Sequence, residues 1–162
     1  MLAAVDFISL ETFKGTAIAS DMAIISIGDP ASTPPNLAHG VPALRMEFLD
    51  LTPDELAQYD MPADCLIAES EVAQILAFIK GLVHADDRYR LVVHCRKGYS
   101  RSAAVALVVH AMTGCEFPRQ LDAYDANTYV LQLASQQLQK NITRPAAPTS
   151  ASYSPLPARL LI

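Results

Sequence analysis

Tryptophan is absent from this 162-residue chain, and cysteine is scarce, with three copies. Cys65, Cys95 and Cys115 lie far apart, with no C-x-x-C pair and no histidine at ligand spacing. Neither a disulfide framework nor a zinc site is suggested, which leaves thiol chemistry or burial for each cysteine. Charge is sparse as well: 18% of residues are charged and the formal net charge is -5. A surface that is acidic as a whole repels nucleic acid and anionic membranes, so any anion site must be local. Long hydrophobic runs are missing too. Outside the first residues the longest is Ala103 to Val109, too short for a transmembrane segment. The opening MLAAVDFISLETF lacks the basic region of a signal peptide, so a cytoplasmic protein is expected. No metal or organic cofactor is implied.

What is present suits one compact fold, because 51% apolar composition over 162 residues can bury a sizeable core. Ala23 to Ile27 followed by Gly28-Asp29-Pro30 reads as a buried strand stopped by a turn. A second strand is expected over Ala43 to Leu51, with Leu44, Met46 and Phe48 alternating, after a Pro-rich loop. Residues 52 to 67 form a polar connection with room for a short helix at the Thr52-Pro53 cap signal. From Glu69 to His84, Val72, Ile75, Leu76, Ile79, Leu82 and Val83 recur at helical spacing, predicting an amphipathic helix lying on a sheet.

Leu91-Val92-Val93 then leads through Arg96-Lys97-Gly98-Tyr99-Ser100 into Arg101 to Met112, apolar almost all round. Strand, loop and buried helix follow one another there, with Thr113-Gly114 as the helix stop. Phe117-Pro118 and Tyr129 to Leu138 suggest further helices. This alternation favours an α/β fold with a central, mostly parallel sheet flanked by helices. Residues 1–140 are expected to form the single domain. Residues 141–162, which hold four of the eleven prolines and no acidic residue, are expected to form a tail, although Pro157 to Ile162 has the apolarity to dock.

The chemistry is concentrated in Val93-His94-Cys95-Arg96-Lys97-Gly98-Tyr99-Ser100-Arg101-Ser102. Five residues separate a cysteine that ends a strand from an arginine that opens a helix. A loop of that size can curl so that successive backbone N–H groups point inward, and the helix N-terminus adds its partial positive charge. The product is a nest for a tetrahedral dianion, with Gly98 permitting the curl. Arg101 presents a fork for two phosphate oxygens, which a lysine cannot reproduce. The same field favours the thiolate of Cys95 and so readies a nucleophile without a general base. His94, expected on the opposite side of the strand, is suited to fixing the loop through backbone bonds.

His94-Cys95 through Arg101-Ser102 resembles the H-C-x5-R-S/T signature of the protein tyrosine phosphatase superfamily, and the G-x-S-R-S ending resembles its compact dual-specificity branch. The strands Ile24 to Asp29 and Arg45 to Asp50 sit where compact bacterial members place theirs, so the similarity covers most of residues 20 to 135. The resemblance implies a phosphate monoester hydrolase of the tyrosine or dual-specificity type. In it Cys95 forms a phosphocysteine, Arg101 clamps the phosphate, Ser102 eases the departure of sulfur and Arg96 to Ser100 line the phosphate loop. It also implies an aspartate that protonates the leaving oxygen and later activates water. Asp50 is the first choice for that role because it closes a strand expected to end near the loop, with Asp54, Asp60 and Asp64 as alternatives.

Departures from the family pattern point to a differently gated pocket. Lys97 stands where the loop usually has alanine, and without tryptophan no W-P-D lid can be built. Arg96 and Lys97 together make the mouth basic, so a phosphoinositide or another polyanion is an alternative to a phosphorylated protein or small metabolite. A further alternative is a phospholigand-binding module that no longer turns over. Cys65 is either an inert packing thiol or a disulfide partner that protects Cys95 from overoxidation. Nothing in the sequence sets the oligomeric state.

Overall fold

The computed structural model describes residues 1–149. Four strands, β1 (Leu2–Ser9), β2 (Met22–Gly28), β3 (Ala43–Glu47) and β4 (Tyr89–Cys95), form one sheet in the order β1-β4-β2-β3. Every pairing is parallel, which puts all strand C-termini on one edge. In an open parallel sheet that edge is where ligands bind, because the loops leaving the strands diverge there. Helices α1 (Leu10–Lys14), α2 (Pro53–Gln58), α3 (Glu69–His84), α4 (Arg101–Thr113) and α5 (Thr128–Leu138) supply the flanking layers.

The N-terminal segment, in which the sequence reading finds no strand, forms β1 beside β4 with Ser9 opposite Cys95. Leu2, Val5, Phe7 and Ile8 are all buried, the near-continuous apolar pattern of a parallel strand covered on both faces. Asp6 interrupts that pattern and is tolerated because the Phe7 N–H and Arg119 Nη1 donate to its Oδ1. β3 is shorter than the expected Ala43 to Leu51 and stops at Glu47, although Phe48 beyond it is 1% exposed.

Most of the core lies on one face of the sheet, where Val5, Phe7, Ile25, Leu91 and Val93 meet α3, α4 and α5. Helix α4 is buried from Arg101 through Val109, which explains its apolar character on every side. A smaller cluster of Ile8, Phe13, Met22, Ile24 and Val92 packs the opposite face beneath α1. Helix α2 begins in a capping box, with the Thr52 hydroxyl accepting from the Glu55 N–H and the Glu55 carboxylate accepting from the Thr52 N–H. Packing continues past residue 140, since Ile142 is buried and its N–H donates to Ser135 Oγ at 3.1 Å. The expected docking segment Pro157 to Ile162 lies outside the described residues. Among the described residues no helix is long and apolar enough to cross a membrane.

Candidate active site

Alternation along β4 separates two neighbours that the sequence places side by side. Leu91, Val93 and Cys95 face the main core, while Val92 and His94 face the smaller cluster. Cys95 is 2% exposed and forms part of the wall of a cleft of about 300 Å³ that Asp29, Asp50, Arg96, Lys97, Tyr99 and Arg101 also line. The Gly98 N–H donates to Cys95 Sγ at 3.3 Å, and Ser102 Oγ lies 3.2 Å from the same sulfur. A donor aimed at sulfur, as the Gly98 N–H is, favours negative charge on it, the condition a thiolate nucleophile needs.

The curl of the loop depends on Gly98, whose φ is +78°. A Cβ there would stand 2.2 Å from the Ser9 backbone nitrogen and 2.5 Å from the Ile8 carbonyl carbon, so the loop rests directly on the end of β1. The Leu10 N–H donates to the Arg96 carbonyl at 3.4 Å and ties the two segments together. Ser100, at the N-cap of α4, makes no side-chain cap. Its hydroxyl instead donates to Asp50 Oδ1 at 2.6 Å and so does not cap the first-turn N–H groups of α4.

Arg101 is 3% exposed, and its Nη1 donates both to Asp29 Oδ1 at 2.8 Å and to the Phe48 carbonyl. Asp29 also meets the exposed Arg96, with 3.6 Å between Arg96 Nη1 and Asp29 Oδ2. Sequence reasoning assigned Asp29 only to a turn. Its signal was its position, an acidic residue directly after a buried strand, but that signal gains meaning only once the parallel sheet sets the ends of β2 and β4 on the same edge.

Asp50 lines the cleft, whereas Asp54, Asp60 and Asp64 are exposed on the 52–67 connection and do not line it. Asp50 Oδ1 accepts from Ser100 Oγ and, at 2.9 Å, from Asn127 Nδ2. Among the described residues Asp50 Oδ2 makes no hydrogen bond. Asn127 is a second residue that sequence reasoning missed. It is 6% exposed and caps α5 by accepting from the Tyr129 and Val130 N–H groups. Its own N–H donates to the Ser100 carbonyl at 3.2 Å. An asparagine directly before α5, which starts at Thr128, is a readable cap signal, but its reach to Asp50 is not local.

His94 departs from the expectation that it bonds the loop backbone: among the described residues neither ring nitrogen has a hydrogen-bond partner. The imidazole stacks on Phe13 with centroids 4.2 Å apart instead. Burial and the nearby Arg45 charge push its pKa down to about 4, so the ring is neutral at pH 7. At the cleft mouth Tyr99 is 43% exposed and Lys97 Nζ lies 5.9 Å from its ring centroid. Cys65 is half-buried and free, with no disulfide to Cys95. Among the described residues no cluster of His, Cys, Asp or Glu could hold a metal ion.

No family model matches the chain, and no curated protein matches it. Among solved structures it is similar to human DUSP28, with 17% identity and a TM-score of 0.45 over 90% of this chain and 83% of that one. It is also similar to a mouse chain with a provisional dual specificity phosphatase designation, solved in complex with zinc tungstate. That likeness has 20% identity and a TM-score of 0.38, covering 79% of this chain and 63% of the other.

Proposed function

We propose that this chain is a cysteine-dependent phosphate monoester hydrolase of the tyrosine or dual-specificity type, acting through a phosphocysteine. The observation that carries this reading is the meeting of Cys95 Sγ, its Gly98 and Ser102 contacts, the Asp29-held Arg101 and the carboxyl of Asp50 at one cleft. The H-C-x5-R-S sequence pattern supports the same chemistry independently. Arg101 binds two equatorial oxygens of the phosphoryl group, and loop N–H groups take the charge that develops on them. Cys95 Sγ attacks phosphorus and forms the S–P bond as the P–O bond to the leaving group breaks. The carboxyl of Asp50 gives its proton to the departing oxygen, with Oδ2 as the proton-bearing atom because Oδ1 is held by Ser100 and Asn127.

In the second half-reaction water attacks phosphorus, its proton passes to the Asp50 carboxylate, and the S–P bond breaks. The Ser102 hydroxyl donates to the sulfur as it regains its negative charge. Inorganic phosphate then leaves. The substrates are phosphorylated proteins or small phosphorylated molecules. Arg96, whose side chain is 71% exposed at the mouth of the cleft, favours substrates with more than one negative group as a second reading. Three free cysteines fit a reducing compartment, which supports placement in the cytoplasm.

Hydrolysis of para-nitrophenyl phosphate by wild type, Cys95→Ser and Arg101→Ala tests the reading. Vanadate-sensitive, chelator-resistant turnover that both variants lose is the expected result. A folded wild type with no turnover would replace the hydrolase with a phospholigand-binding module.

A further inference from the structure

A second cavity, of about 210 Å³, adjoins the phosphate cleft and shares Asp29 and Arg96 with it. It lies by the C-terminal ends of β2 and β3, and His94, Arg45, Ser32 and Thr33 also line it. Two of these side chains carry buried polar atoms that, among the described residues, have nothing to bond. Neither ring nitrogen of His94, which is 1% exposed, has a partner, and Arg45 Nε is buried without one. Such atoms are rare in native folds because each has lost its hydration without a replacement unless water or a ligand meets it.

Arg45 is held in place rather than adrift. Its Nη1 donates to Ser26 Oγ and its Nη2 to Ser32 Oγ, both at 2.8 Å, with Glu47 Oε1 at 3.3 Å. It packs so closely over Gly28 that a Cβ there would lie 2.0 Å from Arg45 Nη2. The acidic neighbours are already engaged. Asp29 is shared between Arg101 and Arg96, and Glu47 meets Arg45 and the Ala31 N–H. The free functions are therefore two donors, Arg45 Nε–H and one imidazole N–H, together with one imidazole lone pair. A hydrogenphosphate-class oxyanion complements that set, since its oxygens accept from the donors and its O–H donates to the ring nitrogen.

We propose that this cavity is a second oxyanion subsite that takes a phosphate-class group, supplied either as a second phosphoryl group of the substrate or as free orthophosphate. Only the substrate source rests on the hydrolase reading.

The test follows the His94 ring nitrogens by long-range proton–nitrogen NMR while orthophosphate is titrated into the Arg101→Ala protein, whose loop site is disabled. A saturable shift is expected, at least about tenfold weaker in affinity when Arg45→Gln or Ser32→Val is added, with sodium chloride of matched ionic strength giving none. No saturable shift, or one that both added substitutions leave unchanged, overturns the subsite. Turnover of glucose 6-phosphate and glucose 1,6-bisphosphate separates the sources. A fall of about tenfold in kcat/KM on Arg45→Gln, confined to the bisphosphate, assigns the subsite to substrate. Equal rates with the orthophosphate shift intact assign it to the free anion. A wild type that shows the His94 shift but no turnover sinks the hydrolase reading and leaves the subsite standing.

Discussion

Asp29 Oδ1 lies 2.8 Å from Arg101 Nη1, joining the residue that follows β2 to the residue that opens α4. The Arg101 side chain is 4% exposed and the Asp29 side chain 32%, so the arginine is the buried member of the pair. Removing its partner leaves a buried guanidinium without its counter-charge, while a second hold, the Phe48 carbonyl, remains.

Asp29→Ala is expected to destabilise the fold by about 3 kcal/mol, the cost of leaving one side of a largely buried ion pair unmatched. Asp29→Asn, which keeps a hydrogen-bond acceptor, is expected to cost less. Urea denaturation of the two variants beside wild type checks the order, and equal stability in all three would remove Asp29 from the scaffold of Arg101.

Asp50→Ala should lower kcat by roughly 10²- to 10⁴-fold on substrates with poor leaving groups, where protonation of the departing oxygen matters most. The loss should shrink on para-nitrophenyl phosphate, whose leaving group departs readily as an anion. Steady-state kinetics on phenyl phosphate and para-nitrophenyl phosphate make the comparison. An Asp50→Ala enzyme equally active on both would return the acid role to another carboxyl.

Asn127 has two duties, and one pair of variants separates them. Asn127→Ala loses the α5 cap and is expected to cost about 1 kcal/mol of stability. Asn127→Asp can still cap the helix, but it sets a carboxylate against Asp50 Oδ1 in place of an N–H donor. It should therefore keep most of the stability, lower kcat with little change in KM, and move the basic limb of the pH–rate profile, where a general acid loses its proton. A profile unchanged in Asn127→Asp would reduce Asn127 to a structural cap.

His94 gives stability a pH dependence of predictable sign. Its folded pKa of about 4 lies below the ordinary value of 6.5, so between those values the unfolded chain binds more protons than the native one. Stability therefore rises with pH across that window, and acidification through it costs up to about 3 kcal/mol. Asp6 acts in the opposite sense. Burial raises its pKa above the ordinary value of 3.8 against the pull of Arg119, so its contribution falls as pH rises past that value. Comparing wild type with His94→Phe from pH 4 to 7 isolates the histidine: the substitution should flatten the slope, and an unchanged slope would assign it elsewhere.

Gly98→Ala tests whether the loop depends on one backbone conformation. With φ at +78° and the Ser9 nitrogen 2.2 Å from the added carbon, the loop must shift away from β1. Loss of turnover with secondary structure retained by circular dichroism is expected, because the Gly98 N–H that meets Cys95 Sγ moves with it.

The sequence alone determined what depends on neighbours along the chain. Apolar periodicity marked α3 at Glu69–His84, composition marked the buried α4, and the residues from His94 to Ser102 marked the passage from strand through loop to helix. Each of these is set by local geometry, the rise and turn of a helix or the reach of five residues between a strand and a helix. Tertiary structure decided what depends on distance across the chain. It set Asp29 against Arg101, placed Asp50 rather than the carboxyls of the 52–67 connection in the cleft wall, and brought Asn127 to Asp50. It also stacked the His94 ring on Phe13, on the opposite face of β4 from Cys95, and among the described residues neither ring nitrogen has a hydrogen-bond partner. These relationships arise where the ends of parallel strands converge, and periodicity carries no information about which loops meet there.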